Sequence, residues 1–178
     1  MFKGRSAEAG LRFGHSFEIQ FTTHLNACSE HKIAQETQMV NATAYVNFPG
    51  NCAQAFKYYE KHLGAKPGMM MTHAQSPEPS PLGAEWKNAV LHGRISIGGL
   101  EVWAADIPNA EPMRSAYLTL RMDSDSEAER VFRALSADGK VLMPIRETFF
   151  ASRFGQVRDS FGINWMILNE RPMPSQDK

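Results

Sequence analysis

His92, Arg94 and Ser96 alternate with Leu91, Ile95 and Ile97 along the stretch 88–97. An extended chain sends successive side chains to opposite faces. The apolar set therefore belongs under whatever covers the sheet, and the polar set on the open face. An imidazole can take up or give a proton there, and a guanidinium can neutralise an anion. By the same alternation Tyr45, Asn47, Glu101, Tyr117 and Asn164 fall on the open face. Trp103, Phe149 and Phe150 lie at strand ends or in a loop over it. Mostly apolar walls with a few convergent polar groups are the composition of a small-molecule site. Two roles stand open for His92, a hydrogen bond across the sheet or contact with a ligand. Two also stand open for Arg94, which either neutralises an anionic ligand or pairs with Glu101.

Other chemistries find less support. No Ser-His-Asp or Cys-His spacing is legible, and no phosphate-cradling glycine-rich loop follows a strand. His24, Cys28 and His31 are metal-type residues at close spacing, but zinc sites normally take four ligands and no partner pair is near. Cys28 and Cys52 do not make a disulfide framework, and Cys52 suits a small core position. Lys plus Arg equals Asp plus Glu at 19 each, so no charge excess draws the chain to nucleic acid or an anionic membrane. No apolar run approaches the ~20 residues that span a bilayer. Arg12, His15 and Glu18 interrupt the start where a signal peptide would be apolar. A cytoplasmic protein is expected.

The elements that would position these residues come in two similar sets. A strand over 42–48 ends at Pro49-Gly50. Asn51, with Gln54 three residues on, then opens a helix over 51–63 in the manner of a capping box. Cys52, Ala55, Phe56, Tyr59 and Leu63 form its buried stripe, and Gly64 is its left-handed stop. A Met-rich strand over 66–72, a Pro-rich loop over 73–86, and strands over 88–97 and 100–106 joined at Gly98-Gly99 complete the first set. The second repeats it. A strand over 115–122 precedes a helix over 125–138, capped by Ser124 and Glu127 and striped by Ala128, Val131, Phe132 and Leu135. Gly139 stops that helix, and strands over 141–145, 154–159 and 163–168 follow.

The helix-stop glycines Gly64 and Gly139 stand 75 residues apart, and the hairpin glycines Gly99 and Gly162 stand 63 apart. The Pro-rich loop, found only in the first set, accounts for the difference. The pattern predicts a duplicated βαβββ unit and an α+β fold.

Specific motifs point the same way. They are Glu147-Thr-Phe-Phe-Ala-Ser-Arg-Phe-Gly155, then Asp159-x-Phe-Gly-x-x-Trp-Met166, with Tyr45-Val-Asn-Phe-Pro-Gly-Asn51 and Ala55-Phe-Lys-Tyr-Tyr59 in the first half. Over about residues 40 to 170 the chain resembles the PhnB-like branch of the glyoxalase/bleomycin resistance protein/dioxygenase superfamily, the vicinal oxygen chelate proteins. The resemblance implies two βαβββ modules whose mixed sheet curls around a shared cavity, helices on the outside, and it implies a homodimer. It also implies a domain over 39–172, with module one at 40–108 and module two at 113–170. An N-terminal extension over 1–38 and a tail over 173–178 flank it. Met39-Val-Asn-Ala-Thr-Ala-Tyr45 is similar to the opening of a family member.

In this superfamily four inward positions commonly hold one divalent metal. Carried over, they fall on Thr43 or Ala44, Glu101, Tyr117 and Met166. Met166 takes the place of a carboxylate, and its soft thioether suits a hard divalent ion poorly. No metal and no cofactor is expected. The ligand-binding set is therefore Tyr45, Asn47, His92, Arg94, Glu101, Trp103, Tyr117, Phe149, Phe150 and Met166, with no catalytic residue assigned. A metal-independent small-molecule-binding protein is the leading expectation. The alternatives are a lyase, isomerase or dioxygenase with a displaced metal site seeded by His92 and Glu101, and an interaction protein without a ligand. A methyltransferase is not expected, because no glycine-rich strand–loop–helix is present to hold S-adenosylmethionine.

Overall fold

The computed structural model describes residues 42–172. The expectations placed on 1–38, His24, Cys28 and His31 among them, and on the tail 173–178 lie outside the described residues. In order the elements are β1 (Ala44–Phe48), α1 (Cys52–Leu63), β2 (Lys66–Thr72), β3 (Val90–Ile97), β4 (Leu100–Asp106), β5 (Leu118–Arg121), α2 (Asp125–Ser136), β6 (Lys140–Arg146), β7 (Ala151–Arg158) and β8 (Asn164–Glu170). This is the α+β, twice-βαβββ arrangement that the periodicities predict.

Each module forms its own four-stranded mixed sheet, ordered β1-β4-β3-β2 and β5-β8-β7-β6. The first and last strands of each module run parallel, a pairing that needs a crossover connection, here the helix and the two strands between them. The other neighbours are antiparallel. The duplication holds to single residues. Phe56 of α1 lies so close to Gly93 that a Cβ there would sit 3.1 Å from its ring, and Phe132 of α2 covers Gly155 in the same way at 2.7 Å.

Each helix buries its stripe on one face of its own sheet, and the two stripes meet in one hydrophobic core that runs through both modules. Tyr59 packs edge-to-face on Trp165, ring centroids 5.4 Å apart, and Phe161 sits against Tyr58 at 5.5 Å. The Tyr58 hydroxyl donates to Ala134 O, and Arg130 Nη1 donates to His62 O at 3.1 Å. Among the described residues, the opposite face of each sheet carries no helix.

Three local expectations need correction. Asn51 precedes α1 but its side chain makes no capping hydrogen bond. Asp106, at the end of β4, caps the helix instead, Oδ1 accepting from Gly50 N–H (3.0 Å) and Cys52 N–H (2.9 Å) while Oδ2 accepts from Val90 N–H (2.7 Å). Gly64 is left-handed at φ 63°, but α2 ends at Ala137 in helical geometry. Gly139 is small for a different reason: a Cβ would meet Leu135 O at 2.6 Å. Finally, Val90 rather than Leu91 enters the core, because the β2–β3 ladder slips between Met71 and Thr72 and resets the alternation.

Candidate functional site

The open face of the first sheet follows from strand alternation. Tyr45 on β1 stands beside Trp103 on β4, and Trp103 beside Arg94 on β3. The Arg94 guanidinium lies over the Trp103 ring, Cζ 4.5 Å from the centroid. His92, one pleat along β3, meets Trp103 edge-on at 5.5 Å and stacks beside Tyr45 at 6.1 Å. Its Nε2 accepts from Arg94 Nε at 3.4 Å, so the ring proton is placed on Nδ1. Trp103 Nε1–H donates to Glu101 Oε1 at 2.5 Å. Five of the ten ligand-binding residues expected from sequence thus form one contiguous group. Tyr45 is half exposed, and burial together with the Cys52 thiol holds its phenol above the usual range, so it stays a donor at neutral pH.

The remaining five are placed differently. Asn47 shares the face but sits at its far end, lining a cleft of about 270 Å³ with Pro49, Arg158 and Phe161. Tyr117 immediately precedes β5 and is half-buried. Met166 and Phe150 pack against Ala151, Phe154 and Leu168, with Met143 beside them. Phe149 is 85% exposed and leans on Phe150, which in turn meets Phe154, both edge-to-face at 5.1 Å. These residues make an apolar patch on the open face of the second sheet, beside the polar Thr119 and Gln156. Among the described residues no ring contact or hydrogen bond joins the two groups.

The loop that presents Phe149 is tied down. Thr148 N–H donates to Ala151 O, Ala151 N–H returns to Thr148 Oγ1, Arg171 N–H donates to Phe150 O, and Arg171 pairs with Glu147. Asn164, expected on the open face, is fully buried as an anchor. Its Nδ2 donates to the carbonyls of Met113, Arg114 and Ala116 at 3.0–3.1 Å, and Arg158 Nε donates to its Oδ1.

Sequence reasoning missed the buried carboxylates. Asp159 Oδ1 accepts from Phe161 N–H and Ile163 N–H, both at 2.9 Å, while Oδ2 accepts from the Tyr59 hydroxyl and Trp165 Nε1, both at 2.7 Å. Burial pushes its pKa up, against the pull of these four donors. An Asp just before a tight turn was the available signal, but the reach of Tyr59 from the other module was not. Cys52 is fully buried, and burial with the nearby Asp106 charge pushes its thiol up to about 12, so it is inert as a nucleophile.

Two four-stranded mixed sheets of βαβββ modules around one core define a glyoxalase-type fold. The chain matches the model of the Glyoxalase/Bleomycin resistance protein/Dioxygenase superfamily over residues 43–167, and it belongs to that superfamily. It is 37% identical to Protein YjdN of Escherichia coli (strain K12) over 143 residues, 74% of this chain and 97% of that protein. The crystal structure of protein PA1353 from Pseudomonas aeruginosa superposes with a TM-score of 0.66 at 37% identity, covering 74% of this chain and 98% of that one. The PhnB protein from Bacillus cereus shares the fold, with a TM-score of 0.62 at 22% identity over 73% of this chain and 99% of that one.

The superfamily implies a divalent metal, and the residues here do not fit one. Thr43 Oγ1 is engaged with Glu101 O at 2.7 Å, and the Glu101 carboxylate with Trp103. Strand register makes Thr119 and Met166 the counterparts of Tyr45 and Trp103. Thioether, indole and phenol do not form a hard-ion donor set. Among the described residues no three His, Cys, Asp or Glu side chains gather as metal ligands.

Proposed function

We propose that this chain is a metal-independent small-molecule-binding protein that acts as a homodimer in the cytoplasm. The observation that carries this reading is the Tyr45–His92–Arg94–Trp103 group, which puts three rings and a cation on one sheet face that no helix of the described residues covers. Polar groups on an aromatic floor are what a small ligand needs for orientation. The second open face supplies the complementary wall: Phe149, Phe150 and Met166 are apolar and rigidly presented, so little ordering entropy is lost when they are covered. A second copy laying its apolar face over the polar face of the first would enclose the ligand and bury Phe149. Residues 39–172 form the binding domain in this reading, with 1–38 an extension to it. No helix of the described residues is long and apolar enough to cross a membrane.

The alternative of an enzyme with a displaced metal gains little. His92 Nε2 is turned to Arg94 and Glu101 to Trp103, which weighs against an ion held between them. A methyltransferase is opposed by topology, since each sheet has one parallel pair and no doubly wound crossover.

The test is metal analysis, light scattering and a thermal-shift screen of small aromatic compounds on the purified full chain. The expected results are substoichiometric divalent metal, the mass of a dimer, and a rise in Tm with at least one compound. A stoichiometric ion that survives dialysis and is lost in Glu101→Gln overturns metal independence. A monomer at micromolar concentration overturns the dimer.

A further inference from the structure

We propose that the open face of the first sheet is a receptor for an aromatic carboxylate, with Arg94 as the residue that selects for the acid. This rests on the small-molecule reading above and adds the chemical class of the ligand. Arg94 spends only its Nε, on His92. Its two η nitrogens have no hydrogen-bond or ion-pair partner among the described residues, although Arg114, Arg121, Arg130, Arg153 and Arg171 all pair with carboxylates.

Arg94 is half-buried on a face that also holds Glu101 yet pairs with no acid among the described residues, and the reason is geometric. Strand register sets Arg94 opposite Trp103 and sets Ser96 opposite Glu101. The guanidinium therefore lies on the indole face, and Glu101 turns to the indole N–H. The contact holds the guanidinium over the indole, and its two η nitrogens are left without a partner among the described residues. A fork of two parallel N–H donors matches the two oxygens of a carboxylate. Beside it Tyr45, half exposed, and His92 offer ring surface and a phenolic donor. A carboxylate in the fork thus carries its own ring onto Tyr45 and His92. An aliphatic acid would use the fork alone, and a neutral aromatic amide the rings alone.

The experiment uses the full chain and three probes, 4-nitrobenzoate, 4-nitrobenzamide and acetate. Calorimetry gives affinity, and tryptophan fluorescence gives location, because the nitro group quenches a nearby indole and Trp103→Phe reports whether that indole is Trp103. 4-Nitrobenzoate is expected to bind and quench, with the amide weaker by roughly 10- to 100-fold and acetate not saturating. Arg94→Met should weaken the acid by about the same factor and leave the amide unchanged, while Arg94→Lys restores only part of the loss. Thermal melts of both variants check folding, and Arg94→Lys keeps the charge if Arg94→Met melts early. Equal affinity for acid and amide, or an acid affinity unmoved by Arg94→Met, overturns the assignment. If 4-nitrobenzoate fails while other compounds in the thermal-shift screen bind, the aromatic-acid assignment falls and the small-molecule reading stands. If nothing binds, both fall.

Discussion

The two modules close their last hairpins in different ways. In the first, β3 and β4 are joined by Gly98 and Gly99 alone, at φ 57° and 85°, and Ile97 faces Leu100 across the turn. Nothing larger than a hydrogen projects from the tip. In the second, β7 and β8 are joined through Asp159-Ser-Phe-Gly162, where Asp159 holds the turn and Phe161 reaches Tyr58 and Tyr59 of the other module. The clefts beside the two hairpins differ accordingly. Beside the bare hairpin, toward Leu120, Met122 and Val131, the cleft is about 870 Å³; beside the Phe161 hairpin, toward Asn47 and Pro49, it is about 270 Å³. A duplicated unit needs its core pattern twice, but it needs to be fastened only once. One hairpin became a plug, and the other was left free of that duty.

The largest test of this asymmetry is Asp159→Ala. It strands Tyr59, Trp165 and two backbone N–H groups in the core. The expected cost is about 3–5 kcal/mol, or roughly 10 °C in Tm for a chain of this length. A fall under about 3 °C would mean that the second hairpin does not fasten the modules. The pH dependence sharpens the test. Burial raises the folded pKa of Asp159 above its unfolded value near ~3.9. The proton-linked part of its contribution is therefore fully present below that unfolded value and lost as pH rises through the folded one. The gap in Tm between the wild type and Asp159→Ala should be widest in acid and should narrow as pH rises.

A smaller effect separates the modules at their matched glycines. A Cβ on Gly155 would meet the Phe132 ring at 2.7 Å and the Ile145 backbone at 3.0 Å, whereas a Cβ on Gly93 meets side chains only, the nearest at 3.1 Å. Gly155→Ala is expected to cost about 1–3 kcal/mol by overpacking, and Gly93→Ala less, because the Phe56 ring can tilt. Urea unfolding of the two variants checks the order. Equal costs would mean that the second helix is no more tightly seated than the first.

The match of Phe56 with Gly93 and Phe132 with Gly155 also explains why so much of the fold could be read from sequence. Helix stripes, hairpin glycines and strand alternation are local patterns, and each module repeats them. The face of the site was legible for the same reason: alternation puts Tyr45, His92 and Arg94 on one side, whereas Trp103, read as a strand-end or loop residue, stands in the middle of β4 on that same face. Which partner each side chain chooses was not. Arg94 and Glu101 are both charged and on the same face, yet the register gives Arg94 the indole ring and Glu101 the indole N–H. Nor could the alternation show Asn164 turned to loop carbonyls some 50 positions earlier. Such choices depend on which strands become neighbours, and that is settled by the whole sheet.

The helix caps give the smallest test, and here the two modules invert what their sequences suggest. Ser124 and Asn51 are both good N-cap residues. Ser124 Oγ accepts from Glu127 N–H at 3.3 Å, although Glu127 turns its carboxylate to Arg130 rather than back to the cap. The Asn51 side chain caps nothing, and its buried Oδ1 has no partner among the described residues. The α1 N–H at Cys52 goes to Asp106, 54 positions along the chain. Ser124→Ala should therefore cost about 1 kcal/mol. Asn51→Ala should stay within about 0.5 kcal/mol of the wild type, since it removes a buried acceptor that is already unsatisfied and leaves the Asp106 cap in place. Paired urea melts read the difference. If Asn51→Ala costs as much as Ser124→Ala, the side chain of Asn51 caps α1 in solution, and the two modules start their helices by the same local device after all.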